Sequence, residues 1–146
     1  MPQRSLLWLL AYGNFVIGMG AFIVIGILTP IAEGLGVTIA SAGMIMTVYA
    51  AAYAVFSPLV AALTGAIDRK LLLIAGLALF LAGTLVTIFA PTLAILAAGR
   101  LPTAFGAALF TPIAASVAVA VAPPELRGRA LATVFSGLTL AQVLGI

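Results

Sequence analysis

The sequence predicts an all-α membrane protein with four complete transmembrane helices and a truncated fifth. Composition is the first reason: 65% of the 146 residues are hydrophobic and only 6% are charged, against about 25% charged in average soluble chains. Mean hydropathy is the second, at +1.38. The third is run length, because the apolar stretches approach or exceed the roughly 20 residues that carry a helix across the hydrocarbon core. Six basic and three acidic side chains cannot cover a water-facing shell of this size, so lipid must solvate the chain. Helix follows, because lipid offers no partner to free backbone N–H and C=O groups. The alternation that a barrel strand needs is absent.

The first run covers about 6–28 and ends at Thr29-Pro30. It exceeds the ~7–15 apolar residues of a signal peptide and no small-x-small cleavage site follows it, so it is expected to be retained as a span. The second run, 41–63, carries Tyr49, Tyr53 and Phe56 on one face, suited to packing or to stacking an apolar substrate. The third covers 71–89. The fourth, 93–121, contains Pro102 and Pro112, each of which removes a backbone hydrogen bond and predicts a bend. The fifth, 130–146, is 17 residues without a polar anchor beyond it, and predicts that the chain is the N-terminal part of a longer protein. Gly13 and Gly20, Gly76 and Gly83, and Ala50 and Ala54 recur at helix-contact spacings, where small residues let backbones approach.

Orientation follows from the basic residues. Arg4 precedes the first run, Arg69 and Lys70 lie between the second and third, and Arg127 and Arg129 lie between the fourth and fifth. The connections around Glu33 and at Ala90-Pro91-Thr92 hold no basic residue. Cytoplasmic loops collect Lys and Arg, so the N-terminus is expected in the cytoplasm.

The chemistry available is narrow. Without cysteine or histidine there is no disulfide framework, thiol nucleophile, histidine base or Cys/His zinc site, and neither a metal nor a cofactor is expected. Basic residues form no stripe with aromatics, so nucleic-acid binding has no support. Arg100 is the one charge well inside a predicted span. An arginine at a helix centre costs ~2.5–3.5 kcal/mol on insertion scales, so it must snorkel outward or face a cavity. Thr103, Ala107, Thr111, Ala114 and Ala118 share its helix face and make a small, polar stripe, which favours the cavity. Asn14 and Gln142 also lie deep, and Gln142, ~18 Å from its helix start, is near the depth of Arg100. Each either lines a pathway or makes an interhelical hydrogen bond. The expected pathway set is Arg100, Asn14, Gln142, Thr103, Thr111 and Tyr53.

The loop Gly65-Ala66-Ile67-Asp68-Arg69-Lys70 resembles the signature loop between the second and third helices of the major facilitator superfamily. The stretch Ala97–Gly106 around Arg100 resembles that family's arginine-bearing motif. Pro123–Ala130 is similar to its fourth-to-fifth connection, and Ser136–Ile146 to the opening of the glycine-rich fifth helix of its antiporters. The likeness covers nearly the whole chain and is closest to the proton-coupled drug and sugar efflux branch, the arabinose-efflux-permease-like group. It implies the N-terminal part of a major-facilitator helix bundle, with a cavity between two six-helix halves and the C-terminal half of the same protein as partner. It implies export of a small molecule from a bacterial-type inner membrane by alternating access, coupled to protons through Arg100. Gly65, Asp68, Arg69 and Lys70 would belong to a cytoplasmic latch, and Gly137 and Gly145 to a fifth-helix bend that seals the pathway. The chain departs from the pattern in five respects: Asp68 follows Gly65 by three residues instead of four, the loop's usual second glycine is missing, Ala104 replaces a common glycine, Pro102 is unusual in the arginine motif, and no acid stands near Gly20-Ala21-Phe22.

Two other readings stay open on the residues alone: a membrane scaffold without transport, or an inactive piece of a transporter. A four-helix dimeric exporter needs an acid inside a span, and no predicted span holds one. An intramembrane enzyme needs a nucleophile–base pair, and none is present.

Overall fold

The computed structural model describes residues 3–146, and every regular element among them is helical. Helix α1 is Gln3–Gly26, α2 is Leu28–Leu35, α3 is Ile39–Leu63, α4 is Arg69–Ile88, α5 is Leu93–Val121 and α6 is Arg127–Gly145. A 3-10 turn, Pro124–Leu126, leads into α6. Helices α1, α3, α4 and α5 are each long and apolar enough to cross a membrane.

Local chemistry explains where the helices start and stop. The first apolar run splits at Ile27, and the stretch around Glu33, expected as a loop, is the helix α2. Pro30 favours the break: it has no N–H for the carbonyl four residues back, at Gly26, and its ring crowds that oxygen, whereas the first turn of a new helix tolerates proline. Pro58, Pro102 and Pro112 lie inside helices that continue past them. Gly36, at φ 63°, closes α2 in the left-handed conformation that favours glycine. The next three long helices all begin on a side-chain cap. Thr38 Oγ1 accepts from Ser41 N at 3.1 Å, and Asp68 Oδ1 accepts from Lys70 N at 2.8 Å and Leu71 N at 3.1 Å. Thr92 Oγ1 accepts from Ile95 N at 3.3 Å. Each satisfies donors that a helix start leaves open. Helix α6 begins at Arg127, three residues before the expected Ala130, because the arginines there form its first turn.

Helix α5 is the axis of the bundle, with α4 and α3 against it and α1 paired with α6. Two seams bring backbones together. A Cβ placed on Gly83 would come within 2.7 Å of the Gly99 carbonyl oxygen, and one on Gly76 within 2.9 Å of the Gly106 oxygen. Between α1 and α6, a Cβ on Gly137 would overlap the Ala11 carbonyl, and one on Gly18 would lie 2.5 Å from Ala141 Cβ. Such approach increases dispersion contact where lipid removes the hydrophobic drive to associate. Elsewhere rings fill the contacts: Phe110 covers Gly13, Phe80 covers Gly20, and Phe56 meets Phe105 edge-on at 4.9 Å. Ala50 and Ala54, expected at a contact, face outward instead, because α3 turns Ala42, Ile45, Ala52 and Val60 inward. Large apolar side chains such as Leu63, Phe89 and Val143 are exposed, as helices dissolved in lipid require.

Candidate functional site

Arg100 lies two turns into α5 and is 2% exposed. Its Nη1 donates to the Gly20 carbonyl of α1 at 3.1 Å, and its guanidinium carbon stands 5.5 Å from the centre of the Tyr49 ring on α3. A cation over a tyrosine face contributes about 0.5–2 kcal/mol, more when desolvated. Nε and Nη2 are buried without any hydrogen-bond partner. A buried donor left open costs about 1–3 kcal/mol. No carboxylate compensates: Glu33 is exposed on α2, Asp68 caps α4 and Glu125 is exposed in the 3-10 turn. The charge therefore sits inside the bundle with one main-chain acceptor and one aromatic face.

Beside it is a half-open cavity of about 580 Å³ enclosed by α1, α2, α4 and α5. Ile23, Ile27, Ile31 and Ile88 are among its apolar walls; Thr84 and Thr87 add hydroxyls, and Arg100 is its only charged lining residue. Both threonines donate back to their own helix, to Phe80 O at 2.8 Å and Gly83 O at 2.9 Å, so their oxygens keep acceptor capacity alone. A second cavity, about 360 Å³, lies at the other end of α1 and is lined by Arg4, Trp8, Leu126 and Arg129, among others.

A separate polar cluster ties three helices. Asn14, fully buried on α1, donates through Nδ2 to the Val134 carbonyl of α6 at 3.1 Å and accepts at Oδ1 from Thr111 Oγ1 of α5 at 3.0 Å. Thr103, on the Arg100 face, donates to the Arg100 carbonyl at 2.8 Å and stays within its own helix. Asn14, Thr103 and Thr111 line neither cavity. Tyr53 is half-buried and stacks on Tyr49 with ring centres 6.4 Å apart. Gln142 is exposed on α6 and lines neither cavity. Gly65, Arg69 and Lys70 are exposed around the cap at Asp68, while Gly137 and Gly145 pack against α1. Among the described residues no cluster of three or more side chains suits a metal.

Two partners of Arg100 escaped the sequence reading. Gly20 contributes a main-chain oxygen, which no side-chain pattern marks. Tyr49 had a signal: ~15 Å from the start of α3, against ~10 Å for Arg100 from the start of α5, it lies at a comparable depth if both are counted from the same membrane face.

Long apolar helices around a central span, with one guanidinium held inside them beside a cavity, define a multi-pass membrane protein with a polar interior site. The chain belongs to the Major Facilitator Superfamily, whose family model matches residues 10–146. It is 34% identical over its whole length to the uncharacterized MFS-type transporter YbcL of Bacillus subtilis (strain 168), covering 37% of that protein. It is 36% identical over 143 residues to YfhI and 34% identical over 137 residues to YtbD, MFS-type transporters of the same strain, covering 36% and 35% of them. The chain thus spans little more than a third of the length of these relatives.

Proposed function

We propose that this chain is the N-terminal part of a secondary transporter that exports small drug- or sugar-like molecules by alternating access, coupled to proton entry. It has no enzymatic role in this reading. Five membrane helices, α1 and α3 to α6, belong to one six-helix half. The N-terminus lies in the cytoplasm of a bacterial-type inner membrane, as the placement of Arg4, Arg69, Lys70, Arg127 and Arg129 supports. The observation that carries the reading is Arg100, a buried guanidinium with open donors beside an interhelical cavity. Inside a membrane such a residue marks a substrate or ion path, and in a facilitator fold it sits where two bundles rock about an internal site. Family membership supports the transport class.

Asn14 and Thr111 are assigned to the same half of the pathway as ties between its helices, and Tyr53 as wall beside Tyr49. Thr103 and Gln142 keep the pathway role expected of them, with neither a cavity contact nor a bond to another helix. Asp68, Arg69 and Lys70 with Gly65 form the cytoplasmic latch, and Gly137 and Gly145 allow the α1–α6 contact to close tightly. The test is uptake into inverted vesicles carrying the complete gene product, with a panel of amphipathic and sugar-like compounds and an imposed proton gradient, acidic inside. Arg100→Ala is expected to lower flux at least tenfold at unchanged membrane insertion. Full flux in that variant, or no gradient-dependent flux of any compound in the wild type, sinks the assignment.

A further inference from the structure

We infer that Arg100 holds a carboxylate through its Nε and Nη2 edge, so that the cavity beside it takes an amphipathic organic acid. The inference deepens the transporter reading and rests on it for the direction of movement, though not for the binding itself.

The geometry of the guanidinium is the starting point. Of its three nitrogens, Nη1 is engaged by the Gly20 carbonyl, while Nε and Nη2 have no partner. Those two nitrogens form the side-on edge of the group, where two parallel N–H bonds match the two oxygens of a carboxylate. A hydroxyl or a single carbonyl would satisfy only one of them. Electrostatics points the same way, because a charge buried away from water is favoured by an opposite charge beside it. All three acids of the chain lie outside its long apolar helices.

The cavity states what the carboxylate is attached to. Its wall is mostly isoleucine, leucine, valine, alanine and glycine, with Arg100 as the single charge, and its volume of about 580 Å³ is that of a drug-sized ligand site. A strongly polar sugar would leave its hydroxyls unpaired against this wall. An acid with an apolar body fits both parts. The open edge is shielded in this conformation, so the acid binds in a state in which that edge opens to the cavity.

A carboxylate can also come from an acidic side chain elsewhere in the complete protein, and the experiment separates the two sources. The complete gene product, purified in detergent, is titrated with 4-phenylbutyrate and with its neutral amide by isothermal calorimetry. The acid is expected to bind at least tenfold more tightly than the amide, and Arg100→Lys, which keeps the charge and loses the fork, is expected to weaken it at least tenfold. Should the acid bind only after an Asp or Glu outside this chain is neutralised, the fork holds that side chain at rest and the carboxylate assignment stands with an internal source. Equal affinity for acid and amide, undiminished acid binding in Arg100→Gln, or no acid binding in any of these proteins overturns it. Flux of a neutral compound in parallel vesicles reports on the transporter reading separately.

Discussion

Asn14 shows how a buried amide can hold a bundle together inside lipid. It donates to α6 and accepts from α5, so one side chain joins three helices. Interhelical bonds of this kind average ~0.6 kcal/mol in membranes and reach ~1.7. A double-mutant cycle of Asn14→Ala with Thr111→Val, read by unfolding in mixed detergent, is expected to give a coupling of about 1 kcal/mol. Additive losses would show that the pair is geometric neighbourhood alone. That Asn14 and Arg100 lie inside was legible, since polar residues in an apolar run are rare and conspicuous. Their partners were not. Thr111 is 97 residues from Asn14 and Gly20 is 80 from Arg100, and the Gly20 acceptor is main chain.

Among the elements, glycine separates two kinds of position. Gly83 faces the Gly99 oxygen and the Thr103 nitrogen, which are backbone and cannot swing aside. Gly83→Val is therefore expected to destabilise by about 1–3 kcal/mol, the cost of overpacking, measured by thermal unfolding in detergent. Gly65 has open space around it, so Gly65→Ala is expected to change stability by less than about 0.5 kcal/mol. A loss of flux in that variant would then belong to the latch and not to folding. Asp68 allows a similar separation. Asp68→Asn keeps an N-cap and Asp68→Ala removes it at about 1 kcal/mol. If the latch uses the carboxylate charge, Asp68→Asn lowers flux while the unfolding midpoint holds. The long helices were legible from run length, because a span must be apolar all round. Helix α2 was not: Thr29-Pro30 carries the signal of a chain break, and the same proline both favours the end of α1 and is accepted in the first turn of α2.

At the scale of the whole chain its orientation can be checked directly, because residues 1–146 contain no cysteine and a single thiol introduced there is the only one among them. Ala66→Cys and Gly128→Cys are expected to react with an impermeant maleimide only from the cytoplasmic face, and Gly34→Cys only from the outer face. Labelling of Gly34→Cys and Gly128→Cys from the same side would overturn the topology.

Where main chains touch, as along Gly76 and Gly83 against Gly99 and Gly106, no layer of side chains is left to shear. Helices α4 and α5 therefore pack as one double-width rod, and α1 with α6 as another. The boundary between the two is cushioned by rings, where Phe80 and Phe110 lie on α1, and tied by the bond between Asn14 and Thr111. Arg100 bridges that cushioned boundary through Gly20, so whatever binds its open edge acts on the joint between the two rods.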